Sequence, residues 1–209
     1  TKDWYDKGDY VYPEWLGVPD LPLVRKYILG DEGQLFGHRD YNQQEWRITA
    51  HFENGPLADE YRRNSRLDIH SHLQQLIFQL TGHLYPRRVV KILNFGDLYG
   101  MGKDKKAAGM QTDVETVYRL DRIKRKAFPG VAKLVNRVKS NGQAGQPVRE
   151  WGGGLIYCEP PKVVEDPKRE GHTFVKRFDY KMFNYLIQRS AASCTKQAII
   201  DYDERKEHG

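Results

Sequence analysis

The sequence predicts an α+β fold, and three observations carry that prediction. Several stretches place apolar residues three and four apart, as helices do, among them Leu73, Leu76, Ile77 and Leu80. Shorter β-rich stretches are bounded by turn residues, as strands are. Finally, residues 141–173 hold many Gly and Pro and read as loops with short strands.

In chain order, residues 1–22 are rich in aromatics, Gly and Pro and read as an irregular arm. Residues 23–40 read as a strand pair around the turn Gly30-Asp31-Glu32-Gly33, which has good turn chemistry. A helix is expected over 43–52, stopped by Asn54-Gly55-Pro56. Residues 57–82 read as mostly helical. Pro86 then opens a helix over 87–99, since proline is tolerated at a helix start. Another helix covers 113–140, interrupted near Phe128-Pro129-Gly130, and a last one runs from Val175 to about Lys206.

Composition narrows the function classes. Hydrophobic residues are 39% and charged residues 30%, which suits a globular chain with a wet surface. No run of about 18 apolar residues exists, so no membrane helix is expected. The start, Thr1-Lys2-Asp3-Trp4, has no signal-peptide pattern, and the missing Met suggests a fragment or processed product. Cys158 and Cys194 stand alone, without a CxxC pattern, which suggests a reducing, cytoplasmic compartment and no zinc site. A net charge of +6 fits a polyanionic partner without requiring one.

One helix face stands out. Arg87, Lys91, Phe95 and Tyr99 recur every four residues, so they lie along one stripe that drifts about 40° per step. Cations can grip phosphate oxygens and an aromatic ring can stack on a base. The plainer reading is an amphipathic helix with solvated cations and core aromatics. Gly96 and Gly100 lean toward function, because a glycine inside a helix costs ~1 kcal/mol and marks a close approach. Asp40, between a predicted strand and a predicted helix, could hold a divalent cation, or simply cap the helix.

Taken together these segments resemble family A (DNA polymerase I-like) DNA polymerases. Residues 40–47, Asp-Tyr-Asn-Gln-Gln-Glu-Trp-Arg, with Ala50-His51 look like the family's motif A. Leu67-Asp68-Ile69-His70 looks like its Asp-Ile-His element. Residues 87–102 look like motif B. Phe128-Pro129-Gly130 and the pair Asn184 and Gln188 match later elements in the same order.

The resemblance implies an incomplete antiparallel palm sheet with a mainly helical fingers subdomain. Its boundaries would be 1–55 for the arm and palm strands with motif A, 56–140 for the fingers, and 141–209 for a loop-rich segment and return helix. It implies template-directed DNA synthesis from dNTPs on primer–template DNA with a two-metal Mg²⁺ site. Asp40 would bind metal by its side chain and Tyr41 by its carbonyl. Arg87, Lys91 and His70 would grip the triphosphate, and Lys91 would also act as the catalytic acid toward the leaving pyrophosphate. Gln43, Glu45 and Phe95 would complete the dNTP site, with Glu45 the steric gate against a ribose 2′-hydroxyl. Tyr99, Gly100, Asn184 and Gln188 would touch template and primer.

The chain also departs from the family pattern. Gly37, His38 and Arg39 stand where apolar residues are expected, Gln44 replaces an apolar residue, and Gly152-Gly153-Gly154 replaces a Gly-Arg turn. These changes suggest a divergent, viral lineage. The family's motif C, which supplies the second metal-binding carboxylate, has no counterpart, and Asp203-Glu204 reads as a solvated tail. A second polypeptide or a missing C-terminal segment is expected to supply it. The alternative is a catalytically inactive nucleic-acid-binding remnant of the same fold. The expected setting is the cytoplasm of a bacterium or a virus-infected host cell.

Overall fold

The computed structural model describes residues 32–33, 40–166 and 169–207. The chain divides into two compact units, Thr1–Tyr41 and Asn42–Gly209. In the first, Glu32 and Gly33 form a turn, and Gly33 takes a φ of 79°, a left-handed angle that favours glycine. The irregular arm expected over 1–22, and the strand pair expected over 23–40 apart from this turn and Asp40, lie outside the described residues.

The second unit begins with helix α1 (Gln44–Glu53) and helix α2 (Pro56–Arg63). Asn54 ends α1 in the left-handed region, with its N–H bonded to Ala50 O. Pro56 then starts α2, where a missing N–H costs nothing. Glu53 Oε2 fills the gap by accepting from Gly55 N at 2.8 Å and Ala58 N at 3.3 Å. Helix α3 (Ile69–Thr81) ends at Gly82, whose φ is 70°. Helix α4 (Arg87–Leu98), α5 (Lys103–Met110), α6 (Val114–Ala127) and α7 (Pro129–Gln143) follow. Asp113 caps α6 by accepting from Thr116 N at 2.6 Å.

Two small antiparallel sheets come next. Strands β1 (Val148–Arg149) and β2 (Leu155–Ile156) form one, and β3 (Lys162–Glu165) and β4 (Thr173–Lys176) form the other. A 3₁₀ turn at Asp179–Lys181 leads into the long helix α8 (Met182–Glu207). The α+β class expected from sequence therefore holds, with helices dominant.

The mostly helical stretch expected over 57–82 is two helices, because Asn64 Oδ1 accepts from Arg66 N and Asp68 then caps a new helix. One expectation needs correction. Val175 and Lys176 belong to β4 and not to the last helix; Val175 pairs with Val163 across the hairpin, and α8 starts only at Met182. Helix α5 was not expected. It buries Lys106 beside Ala107 and Met110, a pattern that conceals helical periodicity.

The core lies between these helices. Trp46, Leu57, Ile69, Leu73, Ile77, Leu93, Val117 and Met182 are fully buried. Helix α1 packs against α2, α7 and α8, while α4 packs against α3 and α5. This leaves the outer face of α4 between the start of α3 and the start of α8.

Candidate nucleotide-binding face

Helix α4 is built so that one side is core and the other is chemistry. Val90, Leu93 and Leu98 point inward and are 1%, 0% and 2% exposed. Arg87, Lys91 and Tyr99 are exposed, and Phe95 is half-buried between them. From Lys91 onward these side chains touch. Lys91 Nζ lies 5.7 Å from the Phe95 ring centre, a cation–π distance. The Phe95 and Tyr99 rings are stacked, 5.9 Å apart and 24° from parallel. Gln188 Nε2 on α8 donates to Tyr99 Oη at 3.3 Å. Burial, then the nearby Glu45 carboxylate, raises the Tyr99 phenol above its ordinary pKa, against the Gln188 hydrogen bond. Five residues singled out in the sequence (Lys91, Phe95, Tyr99, Glu45 and Gln188) thus stand together.

The other end of the stripe is tied down. Arg87 donates from Nε at 3.0 Å and Nη2 at 2.6 Å to Asp68 Oδ2. Asp68 also caps α3, its Oδ1 accepting from His70 N at 2.9 Å. Its carboxyl, though partly desolvated, is held below the usual range by the Arg87 hydrogen bonds and the Ser71 and His70 N–H groups.

His70 is 2% exposed, so its ring is covered. It lies 5.3 Å from the Phe95 ring. Asn94 Nδ2 bonds His70 Nδ1 at 2.9 Å, which with Asn94 as donor puts the neutral ring's proton on Nε2. Burial lowers the His70 pKa to about 4; Asp68 opposes that shift, and Arg87, Lys91 and Lys124 reinforce it. The imidazole is therefore neutral near pH 7.

Other singled-out residues have structural partners. Gln43 sits at a left-handed φ of 55° before α1. Its Oε1 accepts from Ile69 N at 3.0 Å and Tyr61 Oη at 3.2 Å, joining α1 to the start of α3. Gln44, the unexpected polar residue, donates to Ala191 O at 3.1 Å and so stitches α1 to α8. Gly100 takes a φ of 63°, and an added Cβ would lie 3.4 Å from Tyr180. Asn184 is half-buried, and its Oδ1 is buried with no hydrogen-bond partner among the described residues. Asp40 and Tyr41 are exposed and belong to the first unit.

Sequence reasoning placed Asp68 and Asn94 in family elements without giving either a role, and it missed Lys124. Asp68 immediately before Ile69 is a helix-start signal that could have been read. Nothing local marks Lys124, which donates to the carbonyls of Leu93 and Asn94 at 3.3 and 3.2 Å and lies over the Trp46 ring at 5.0 Å.

No group of three or more His, Cys, Asp or Glu is placed to hold a metal ion among the described residues. Asp40, the expected metal ligand, is exposed, and a two-cation centre takes more than one carboxylate. No described helix is long and apolar enough to cross a membrane.

The comparisons define the class of protein. A model of the family described as DNA polymerase family A matches residues 20–208. The chain belongs to that family. It is 28% identical over 198 residues to DNA polymerase theta of Caenorhabditis elegans, covering 94% of this chain and 11% of that protein. It is 31% identical over 196 residues to DNA polymerase DpoZ of Acinetobacter phage SH-Ab 15497, covering 87% of this chain and 30% of that one. Among solved structures it matches the POL domain of Pol1 from M. smegmatis, in complex with DNA primer-template and dNTP. That match has a TM-score of 0.64 at 23% identity over 81% of this chain and 29% of the other, a likeness of fold. The chain thus spans less than a third of each of these proteins.

Proposed function

We propose that this chain supplies the nucleotide-binding part of a template-directed DNA polymerase, adding deoxynucleotides to a primer 3′ end. The observation that carries this is the run of contacts from Lys91 through Phe95 to Tyr99, joined by Gln188, with Glu45 near enough to Tyr99 to act on its charge and Arg87 exposed four residues before Lys91 on the same helix. Its cationic end suits a triphosphate and its aromatic end a base.

In this reading Arg87 and Lys91 bind the triphosphate, and Lys91 Nζ passes a proton to the leaving pyrophosphate. His70, buried and neutral beside the Phe95 ring, is the third residue proposed to grip the triphosphate. Phe95 packs on the incoming sugar and base, and Gln43 holds the edge of the same site. Glu45 is the gate that disfavours a ribose 2′-hydroxyl. Tyr99 and Gly100 hold the templating position, and Asn184 and Gln188 contact primer–template. Asp40 and the Tyr41 carbonyl would be metal ligands, with Mg²⁺ the proposed ion. The remaining carboxylates would come from a further segment or a second polypeptide. The division into arm and palm strands (1–55), fingers (56–140) and return segment (141–209), the cytoplasmic setting and a viral origin belong to the same proposal.

The second reading is a catalytically inactive remnant that binds nucleic acid, favoured by a net charge of +6 that fits a polyanion. Template-directed incorporation on a primed DNA with Mg²⁺ separates the possibilities. The proposal predicts extension only when the missing carboxylates are supplied, and none with Asp40→Ala. Extension that survives Asp40→Ala would sink the metal assignment.

A further inference from the structure

Asp68 joins two helix starts with one carboxylate. Its Oδ1 accepts from His70 N at 2.9 Å and Ser71 N at 3.3 Å, fixing the first turn of α3. Its Oδ2 accepts from Ser71 Oγ at 3.2 Å and from Arg87 Nε and Nη2 at 3.0 and 2.6 Å, fixing the first side chain of α4. The Arg87 and Asp68 side chains are 49% and 33% exposed. An ion pair that wet adds little to stability, so stability is a poor account of a contact this well formed. Arg87 is held by one edge of its guanidinium, and its Nη1 has no partner among the described residues.

We infer that Asp68 is a positioning residue for the triphosphate site, holding the Arg87 guanidinium by its Nε–Nη2 edge and leaving the Nη1 side for phosphate. This inference rests on the reading of Arg87 as a phosphate ligand. An unheld arginine side chain has many rotamers, and ordering it on binding weakens affinity; a held fork has already lost that freedom. The carboxylate also repels phosphate, so the inference commits to a sign: orientation outweighs repulsion. Asp68 acts through Arg87 and not by touching the ligand.

The test is titration of the whole chain with dATP and, separately, dAMP, which lacks the outer phosphates. Asp68→Ser keeps an oxygen to cap α3 but is too short to hold Arg87. It is expected to weaken dATP binding about 3- to 10-fold and leave dAMP unchanged. Asp68→Asn keeps the cap through its Oδ1, but its Nδ2 then faces the Arg87 N–H donors and cannot accept from them, so it too should weaken dATP binding and leave dAMP unchanged. It also keeps the test decisive if Asp68→Ser folds poorly. In an Arg87→Ala background, Asp68→Ser should add nothing further.

The positioning role is overturned, with the triphosphate reading intact, by any of three results. These are that Asp68→Ser and Asp68→Asn leave dATP affinity unchanged while Arg87→Ala lowers it, that they tighten it, or that they lower it equally without Arg87. If Arg87→Ala itself leaves dATP affinity unchanged, the reading of Arg87 fails and the positioning role falls with it.

Discussion

His70 is where burial and charge meet most sharply at the residue scale. Its pKa falls from 6.5 to about 4 on folding, so the folded state resists protonation. Above pH 6.5 the ring is neutral in both states and its burial costs nothing electrostatic. As pH falls from 6.5 toward 4, the unfolded chain binds the proton first and stability is lost. A shift of this size corresponds to about 3 kcal/mol at most. Urea unfolding from pH 7 to pH 4 should therefore show a steeper loss for the parent than for His70→Gln. Matching slopes would mean that His70 is not protected as its burial indicates. At this scale the sequence was legible where spacing alone sets direction, as for Arg87, Lys91, Phe95 and Tyr99. It was not legible for Gln43 and Gln44, whose partners Ile69 and Ala191 lie far along the chain and are chosen by packing.

Helices α4 and α5 show why whole elements escaped or yielded to prediction. Gly96 lets α5 approach, because a Cβ there would fall 2.5 Å from Lys106 Cε. Lys106 is 1% exposed, and both it and Lys103 bond the buried Asp121 carboxylate, so its stem has little room to shift. Gly96→Ala should cost about 1–3 kcal/mol through overpacking, outweighing the small gain in helix propensity, as thermal unfolding would report. A variant more stable than the parent would show that Lys106 relaxes freely. Asp121→Asn removes the charge between two lysines and should cost roughly 3 kcal/mol; an unchanged unfolding midpoint would count against a buried ion pair. A lysine facing inward is what hid α5 from sequence periodicity. The break at 64–68 was hidden differently, since Asn64 and Asp68 act through local hydrogen bonds that a helical apolar pattern on both sides masks. Strand β4 won Val175 from the predicted helix because its cross-strand partner Val163 comes from an earlier segment.

At the scale of the molecule, α1, α4 and α8 converge on one region. Trp46 anchors α1 in the core at 0% exposure, and Gln44 ties α1 to α8. Gln188 ties α8 to the end of α4. The order of the elements that built the family resemblance, from Asp40 to Gln188, is the order in which the fold brings Glu45, Phe95, Tyr99 and Gln188 together. Asp203 and Glu204 lie on α8 and are exposed, in keeping with a solvated charged end. Family membership follows from matched residues along nearly the whole chain, whereas the nucleotide site is a proposal that rests on the stripe.

The most direct test of that proposal is dNTP affinity, measured by titration of the purified chain alongside Lys91→Ala. Losing a charge-assisted phosphate contact of about 1.5 kcal/mol predicts roughly a tenfold weaker dNTP complex, with the fold unchanged by circular dichroism. A parent chain with no dNTP affinity that still binds DNA in a salt-dependent way would contradict the account and leave the non-catalytic remnant standing.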